Sequence, residues 1–236
     1  TISLAGPESR NLLAKLCPGQ DFDGDLFPFM SAINVPVAGV PARVCRISFS
    51  GELCYEVNVN ANYGRYVWDS CISTGQAFGI TPYGTEAMHV LRAEKGFVIV
   101  GQDTDGSVTP QDLGMDWICA KNKDFIGKRS LFRSDTRRDD RKQLVGLRTE
   151  SPTEVLPEGA QLTQNPEGSM PIPMIGHVTS SYYSAFLGYS IALALIKSGR
   201  DKLGEIVHAP LASGRIVKAQ ITSPMFYDSS GERQNV

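Results

Sequence analysis

Apolar residues recur along this chain at two rhythms, mixed helical and alternating over the first 140 positions and almost purely alternating after that. Residues 1–5 read as a short strand running into a Gly6-Pro7 turn, and 8–16 as a helix. Residues 41–49 and 53–59 alternate around Ser50-Gly51-Glu52, which is a hairpin signal. Tyr63, Val67 and Cys71 set a helical spacing over 63–73, and 78–82 and 97–100 are brief extended pieces. Between those pieces, 83–96 forms one helix with Thr85 as N-cap, Ala87, Met88 and Leu91 as the apolar stripe, and Gly96 just past its end. Residues 143–148, 160–164, 174–181, 190–196, 205–209 and 216–222 then read as six strands punctuated by Gly or Pro. The predicted fold is α+β: a ferredoxin-like layer of helices on an antiparallel sheet over 1–140, followed by a small six-stranded β-barrel domain over 141–236.

The boundary rests on the run from Arg133 to Lys142, which mixes charge signs, lacks apolar residues and reads as a solvated linker. Composition narrows the function classes. With 236 residues, 42 % of them hydrophobic, the chain can fill real cores. A net charge of −2 gives no footprint for nucleic acid. No apolar run approaches the length of a membrane span; the longest, 191–196, is strand-sized. Five scattered cysteines (Cys17, Cys45, Cys54, Cys71, Cys119) and three histidines show no zinc-ligand spacing, so reduced thiols, no disulfide, no metal and a cytoplasmic setting are expected. The chain starts at Thr1 inside a predicted strand, which suggests a piece of something longer.

Generic catalytic motifs are missing: there is no Walker loop, GxGxxG or GxSxG. His89 in a helix and His177 in a strand read as structural. Asp103, Asp105 and Ser107 alternate like a calcium loop, but Gly114 stands where a bidentate glutamate is needed. Tyr182 and Tyr183, flanked by serines, are either rings for stacking on a flat heterocycle or ordinary barrel-rim aromatics. Glu94 is the odd residue. A carboxylate in the last turn of a helix faces the negative end of the macrodipole, at a cost of a few tenths of a kcal/mol or more. Two compensations are open: an ion pair with Arg92, Lys95 or a distant base, or a ligand donating hydrogen bonds.

Nine blocks follow one another in a telling order: Ala5-Gly6-Pro7, 46–56, 91–96, Gly101-Gln102-Asp103 with Thr109-Pro110, 124–128, 144–147, 175–180, 191–194 and 224–228. Together they resemble the aminomethyltransferase family, the folate-binding T-protein of glycine cleavage and its relatives. Residues 49–53, 83–106 and 226–236 look most like the C-terminal part of the alpha subunit of heterotetrameric sarcosine oxidases. The resemblance implies that Glu94 hydrogen-bonds the pterin of tetrahydrofolate, with Arg92, Arg46, Tyr55, Tyr182 and Tyr183 in the same cofactor-binding set. It further implies beta, gamma and delta partner subunits, and FAD, FMN and NAD elsewhere in the complex. A flavin on the beta subunit would oxidise sarcosine, and the one-carbon unit would leave as methylene-tetrahydrofolate. An aminomethyltransferase acting on a lipoyl-protein and a non-catalytic assembly module are the alternatives. Two departures stand out: Phe49 replaces a usual tyrosine, and Ala185-Phe186 replaces a proline-containing turn. The family's aspartate that polarises the folate amine lies upstream of the match to Thr1, so the catalytic residue is unassigned and the layer reads as N-terminally truncated.

Overall fold

A computed structural model describes residues 1–167 and 170–235; Val236, which ends the last matched stretch, lies outside them. The chain divides into two compact units, Thr1–Arg92 with the residues from Asp228 onward, and Ala93–Tyr227.

The first unit is a four-stranded antiparallel sheet in the order β1 (Ile2–Ala5), β4 (Cys54–Val59), β3 (Val40–Cys45), β2 (Ala32–Val37). Its register pairs Leu4 with Tyr55, Ile2 with Val57, Val57 with Val44 and Val44 with Ile33. Those residues therefore share one face, as the two-residue period of a strand requires. Helices α1 (Ser9–Leu16) and α2 (Gly64–Gly75) close that face with Leu12, Leu13, Leu16, Val67 and Cys71.

Strand β2 is an element the alternation did not reveal. It joins β3 through Ala38 (φ +49) and Gly39 (φ +81), a two-residue turn with both residues left-handed, without the Asn-Gly pair that usually signals it. The predicted β3–β4 hairpin exists, but residues 46–53 between the strands are not a tight turn. The backbone of Arg46 leaves the ladder to bond Ser31 and Met30 instead. Residues 78–82 form no strand: a single tight turn at Gln76–Phe78 ends at Gly79 (φ +69).

Helix α3 (Thr85–Glu94) starts one residue from the expected cap, since the Gly84 carbonyl accepts the first helical bond, from Met88. Its burial runs along the axis instead of around it. Ala87 is exposed and Met88 and Leu91 are half-buried, whereas Arg92, Ala93 and Glu94 are all buried. The expected apolar stripe is thus not what this helix hides.

The second unit is a six-stranded antiparallel barrel in the order β6 (Gln161–Leu162), β7 (Gly176–Ser184), β8 (Tyr189–Lys197), β5 (Lys142–Thr149), β10 (Ile216–Thr222), β9 (Ile206–Pro210). Paired bonds between Thr163 and His208, 2.9 Å each way, close β9 onto the end of β6. Val145, Leu147, Ala192, Ala194, Ile196, Ala219 and Ile221 fill the interior. The alternate residues Leu144, Leu193 and Leu195 face outward under Val98, Val108, Leu113 and Phe226. Residues 97–100 are therefore not the strand their apolar content predicted: Val98 packs on the barrel, and the Ile99 N–H goes to the Asp103 carboxylate rather than to a neighbouring strand. The charged run is also not uniformly solvated. Arg141 is largely buried in an ion pair with Asp112, because the chain there already enters β5. Among the described residues, no helix of the barrel unit after residue 143 exceeds a short 3₁₀ turn, and none anywhere is long and apolar enough to cross a membrane.

Candidate functional site

Glu94 sits where two requirements of the backbone meet. Its carbonyl, orphaned at the end of α3, accepts the N–H groups of Phe226 at 2.9 Å and Tyr227 at 3.0 Å. Two residues on, Gly96 turns the chain at φ +71, and a side chain there would stand 2.6 Å from the Pro224 carbonyl oxygen. The segment 224–227 thus caps the helix and fixes where its last side chain emerges. The Glu94 side chain is 3 % exposed, and its Oε1 accepts a hydrogen bond of 2.6 Å from the Ser184 hydroxyl at the end of β7. A hydroxyl dipole is one answer to the misfit with the helix macrodipole, and it is a partner the sequence reading did not consider. No local signal marks it, since Ser184 lies 90 positions away.

The outward face of β7 is a row of polar groups. Ser180, Tyr182 and Ser184 alternate on the side that pairs with Leu193, Ile191 and Tyr189 of β8. At the near end of this row, Asp103 is fully buried and accepts from Thr179 Oγ1 (2.5 Å), Ser180 Oγ (2.6 Å) and Ile99 N–H (2.8 Å). A register shift between Val178 and Ser180 lets two consecutive hydroxyls reach one carboxylate. Asp103 is therefore the pin of the 97–103 loop. At the far end stands Glu94 on Ser184, with Tyr182 between the two carboxylates along the strand. Tyr183 points to the opposite side and is 44 % exposed, so alternation separates the two rings that sequence left equivalent.

The remaining predicted residues are placed as follows. Arg92 is fully buried in the last turn of α3. Arg46 is buried in the first unit, where its guanidinium donates to the carbonyls of Phe27 (2.8 Å), Gly24 (3.4 Å) and Gln234 (3.5 Å). Tyr55 is fully buried in the same unit, stacked on Phe27 at 6.1 Å between ring centres and edge-on to Phe22. Its hydroxyl accepts from Arg10 at 3.2 Å. What the Tyr55 ring does in this fold is pack the core.

An apolar cleft of about 610 Å³ in the first unit, between β1, α2 and the start of α3, includes none of these residues. Glu8 is its one charged lining residue, so it offers little to a polar ring edge. His177 lies beside the Lys142 ammonium at 3.3 Å, and burial first, then that charge, holds its pKa below the usual histidine value. Among the described residues no three metal-ligating side chains cluster, and all five cysteines are free.

Comparison with known proteins gives a consistent result. Residues 1–123 match the model of the GCVT N-terminal domain, and 142–228 match the glycine cleavage T-protein C-terminal barrel domain. The sarcosine oxidase subunit alpha of Corynebacterium sp. (strain P-1) is 49 % identical over the whole of this chain, which spans 24 % of that protein. An aminomethyltransferase of Thermotoga petrophila is 30 % identical over 99 % of this chain and 60 % of its own length. The crystal structure of a glycine cleavage system aminomethyltransferase T from Bartonella henselae superposes with a TM-score of 0.79 at 22 % identity, covering 95 % of this chain and 58 % of that one. This chain therefore spans about a quarter of the length of the first of these relatives and about three fifths of the others.

Proposed function

This chain belongs to the glycine cleavage T-protein family, and on that premise we propose that it is the tetrahydrofolate-binding part of a sarcosine oxidase alpha subunit. The observation that carries the reading is the buried Glu94 carboxylate, anchored to β7 by Ser184. An aminopyrimidinone edge presents adjacent N–H donors, and a carboxylate accepts two of them side by side. Tyr182, on the same outward face of β7, is the ring we assign to pack against the pterin, ahead of Tyr183.

When bound, tetrahydrofolate supplies the amine nitrogen on which a one-carbon unit is captured. The chain's own part is to bind and orient. Glu94 fixes the ring edge, and the buried surroundings keep competing water from its acceptor atoms. Positioning of this kind is worth several kcal/mol of barrier in well-aligned systems. No side chain of this chain is assigned the proton transfer. Oxidation of sarcosine at a flavin on a beta subunit, gamma and delta partners, and FAD, FMN and NAD sites elsewhere in the assembly complete the proposal. The higher identity to the sarcosine oxidase subunit, 49 % against 30 % for the aminomethyltransferase, favours it over transfer from a lipoyl-protein. The division of labour we propose makes 1–140 the folate-binding layer, carrying Glu94, and 141–236 the barrel, which anchors that carboxylate through Ser184 and contributes the Tyr182 ring.

The test is Glu94→Gln in the full-length protein. Leaving ligand N–H groups desolvated beside an amide costs ~2–4 kcal/mol, so tetrahydrofolate binding by titration calorimetry is expected to weaken on the order of a hundredfold. Formaldehyde is expected to replace methylene-tetrahydrofolate as the one-carbon product. Undiminished binding in the variant overturns the assignment.

A further inference from the structure

Resting on the reading of Glu94 as the pterin acceptor, we infer that Ser184 is a positioning residue that sets the affinity of the site by locking that carboxylate before the ligand arrives. The Ser184 side chain is fully buried. Its oxygen accepts the N–H of Leu187 at 2.9 Å, and its proton goes to Glu94 Oε1 at 2.6 Å. Since a hydroxyl carries one hydrogen, the main-chain donor on one side commits that hydrogen to the carboxylate on the other.

The backbone holds the serine as tightly as the serine holds the glutamate. The Ser184 carbonyl accepts from Gly188 at 2.9 Å, closing the β7–β8 turn over the side chain. Within that turn the Phe186 ring packs edge-on against Tyr227, 4.8 Å between centres. Tyr227 is one of the two residues whose N–H groups cap the Glu94 carbonyl. The Ala185-Phe186 departure noted in the sequence therefore ties the turn that carries Ser184 to the segment that caps α3, and both ends of Glu94 are held by neighbouring pieces of chain.

A glutamate side chain has considerable rotamer freedom to lose on binding. A carboxylate oriented in advance does not lose it when the ligand arrives, which is how preorganisation raises affinity. Removing the hydroxyl also removes a charge-assisted hydrogen bond from a buried acceptor.

The experiment measures tetrahydrofolate affinity by calorimetry in the full-length subunit assembly for Ser184→Ala, Glu94→Gln and the double variant, with thermal midpoints tracking the fold. Ser184→Ala is expected to weaken binding about tenfold, and to add nothing further once Glu94 is already Gln, because the serine acts only through that carboxylate. Ser184→Cys, which nearly keeps the volume but donates weakly, is expected to behave like the alanine variant and serves where alanine does not fold. An equal loss from Ser184→Ala in both backgrounds means the serine supports the fold generally, and overturns the inference. So does unchanged affinity in Ser184→Ala when Glu94→Gln is weakened, an outcome that leaves the folate reading standing. Unchanged affinity in Glu94→Gln removes the folate reading itself and the inference with it.

Discussion

At the scale of single residues, the barrel unit depends on two buried carboxylates that hydroxyls of one strand, β7, hold and that do different work. Glu94 is presented at the end of a helix, whereas Asp103 is consumed by its own fold through Thr179, Ser180 and the Ile99 N–H. Asp103→Asn keeps the size but replaces one accepting oxygen with a donor that faces hydroxyls and an amide already arranged to donate. A cost of ~2–3 kcal/mol is expected from the strength of hydrogen bonds to charged groups, read from urea unfolding, with the 97–103 loop the first to gain amide exchange. The two carboxylates were not equally legible. Glu94 betrayed itself locally, because a negative charge in a last turn opposes the macrodipole. Asp103 looks in sequence like half a calcium loop and falls in one of the nine ordered blocks, but neither signal names Thr179 and Ser180 as its partners. Ser184 was invisible as a ligand of Glu94, since a serine at a strand end has no sequence property that names a partner 90 residues away.

At the scale of elements, strands with a buried alternate face were readable and irregular pieces were not. The strands β5, β8 and β10 emerged close to their observed bounds because their apolar positions recur with period two and their ends carry Gly, Pro or charge. Residues 97–100 failed for a physical reason. Apolar content reports burial, and here burial is achieved by lying on the outside of a barrel with a side-chain carboxylate in place of a ladder. The charged run misled in the opposite sense. Arg141 was indistinguishable in sequence from its exposed neighbours, yet it donates to both Asp112 oxygens, at 2.9 and 3.2 Å from Nε, while Thr109 adds its N–H and hydroxyl at 2.8 Å each. Burial by itself would raise the Asp112 pKa, but these hydrogen bonds override it and hold the carboxyl below its ordinary value. A depressed folded-state pKa means stability that is present above the unfolded value near 3.9 and lost as pH falls through the folded one. Arg141→Ala strands the buried carboxylate and is expected to cost ~3–5 kcal/mol at pH 7. The deficit should shrink in thermal unfolding at pH 3, where the unfolded carboxyl is protonated and the variant can protonate in the folded state too.

At the scale of the whole molecule, the two architectures follow from where the alternation places its apolar residues. In the first unit one face of a sheet is apolar and two helices cover it. In the second, the sheet curls until Thr163 meets His208 and hides its apolar face inside itself. Three of the five scattered cysteines are buried in the first unit. Cys17 and Cys71 belong to the helix-covered core, and Cys54 is buried in β4. Desolvation is the first cause that pushes each of the three thiols up to about 11, from an ordinary 9.0; for Cys54 a hydrogen bond with Ser3 and a nearby Glu56 act in opposite senses and leave burial in control. Reactivity belongs to the thiolate, so an aromatic disulfide reagent at pH 8 is expected to label Cys45 and Cys119, which are only half-buried, and to reach the other three once urea is added. The same shifts fix the sign of the alkaline response. A thiol whose folded pKa is raised stabilises the native state fully below the unfolded value, and that stability drains as pH climbs from about 9 toward the folded value. Unfolding midpoints in urea are therefore expected to fall steeply between pH 9 and pH 11, and Cys71→Ala to flatten that fall while lowering the midpoint at pH 7 through the small cavity it leaves. Rapid labelling of all five thiols in the native protein at pH 8 would show that the first unit opens far more often than a packed sheet-and-helix core allows.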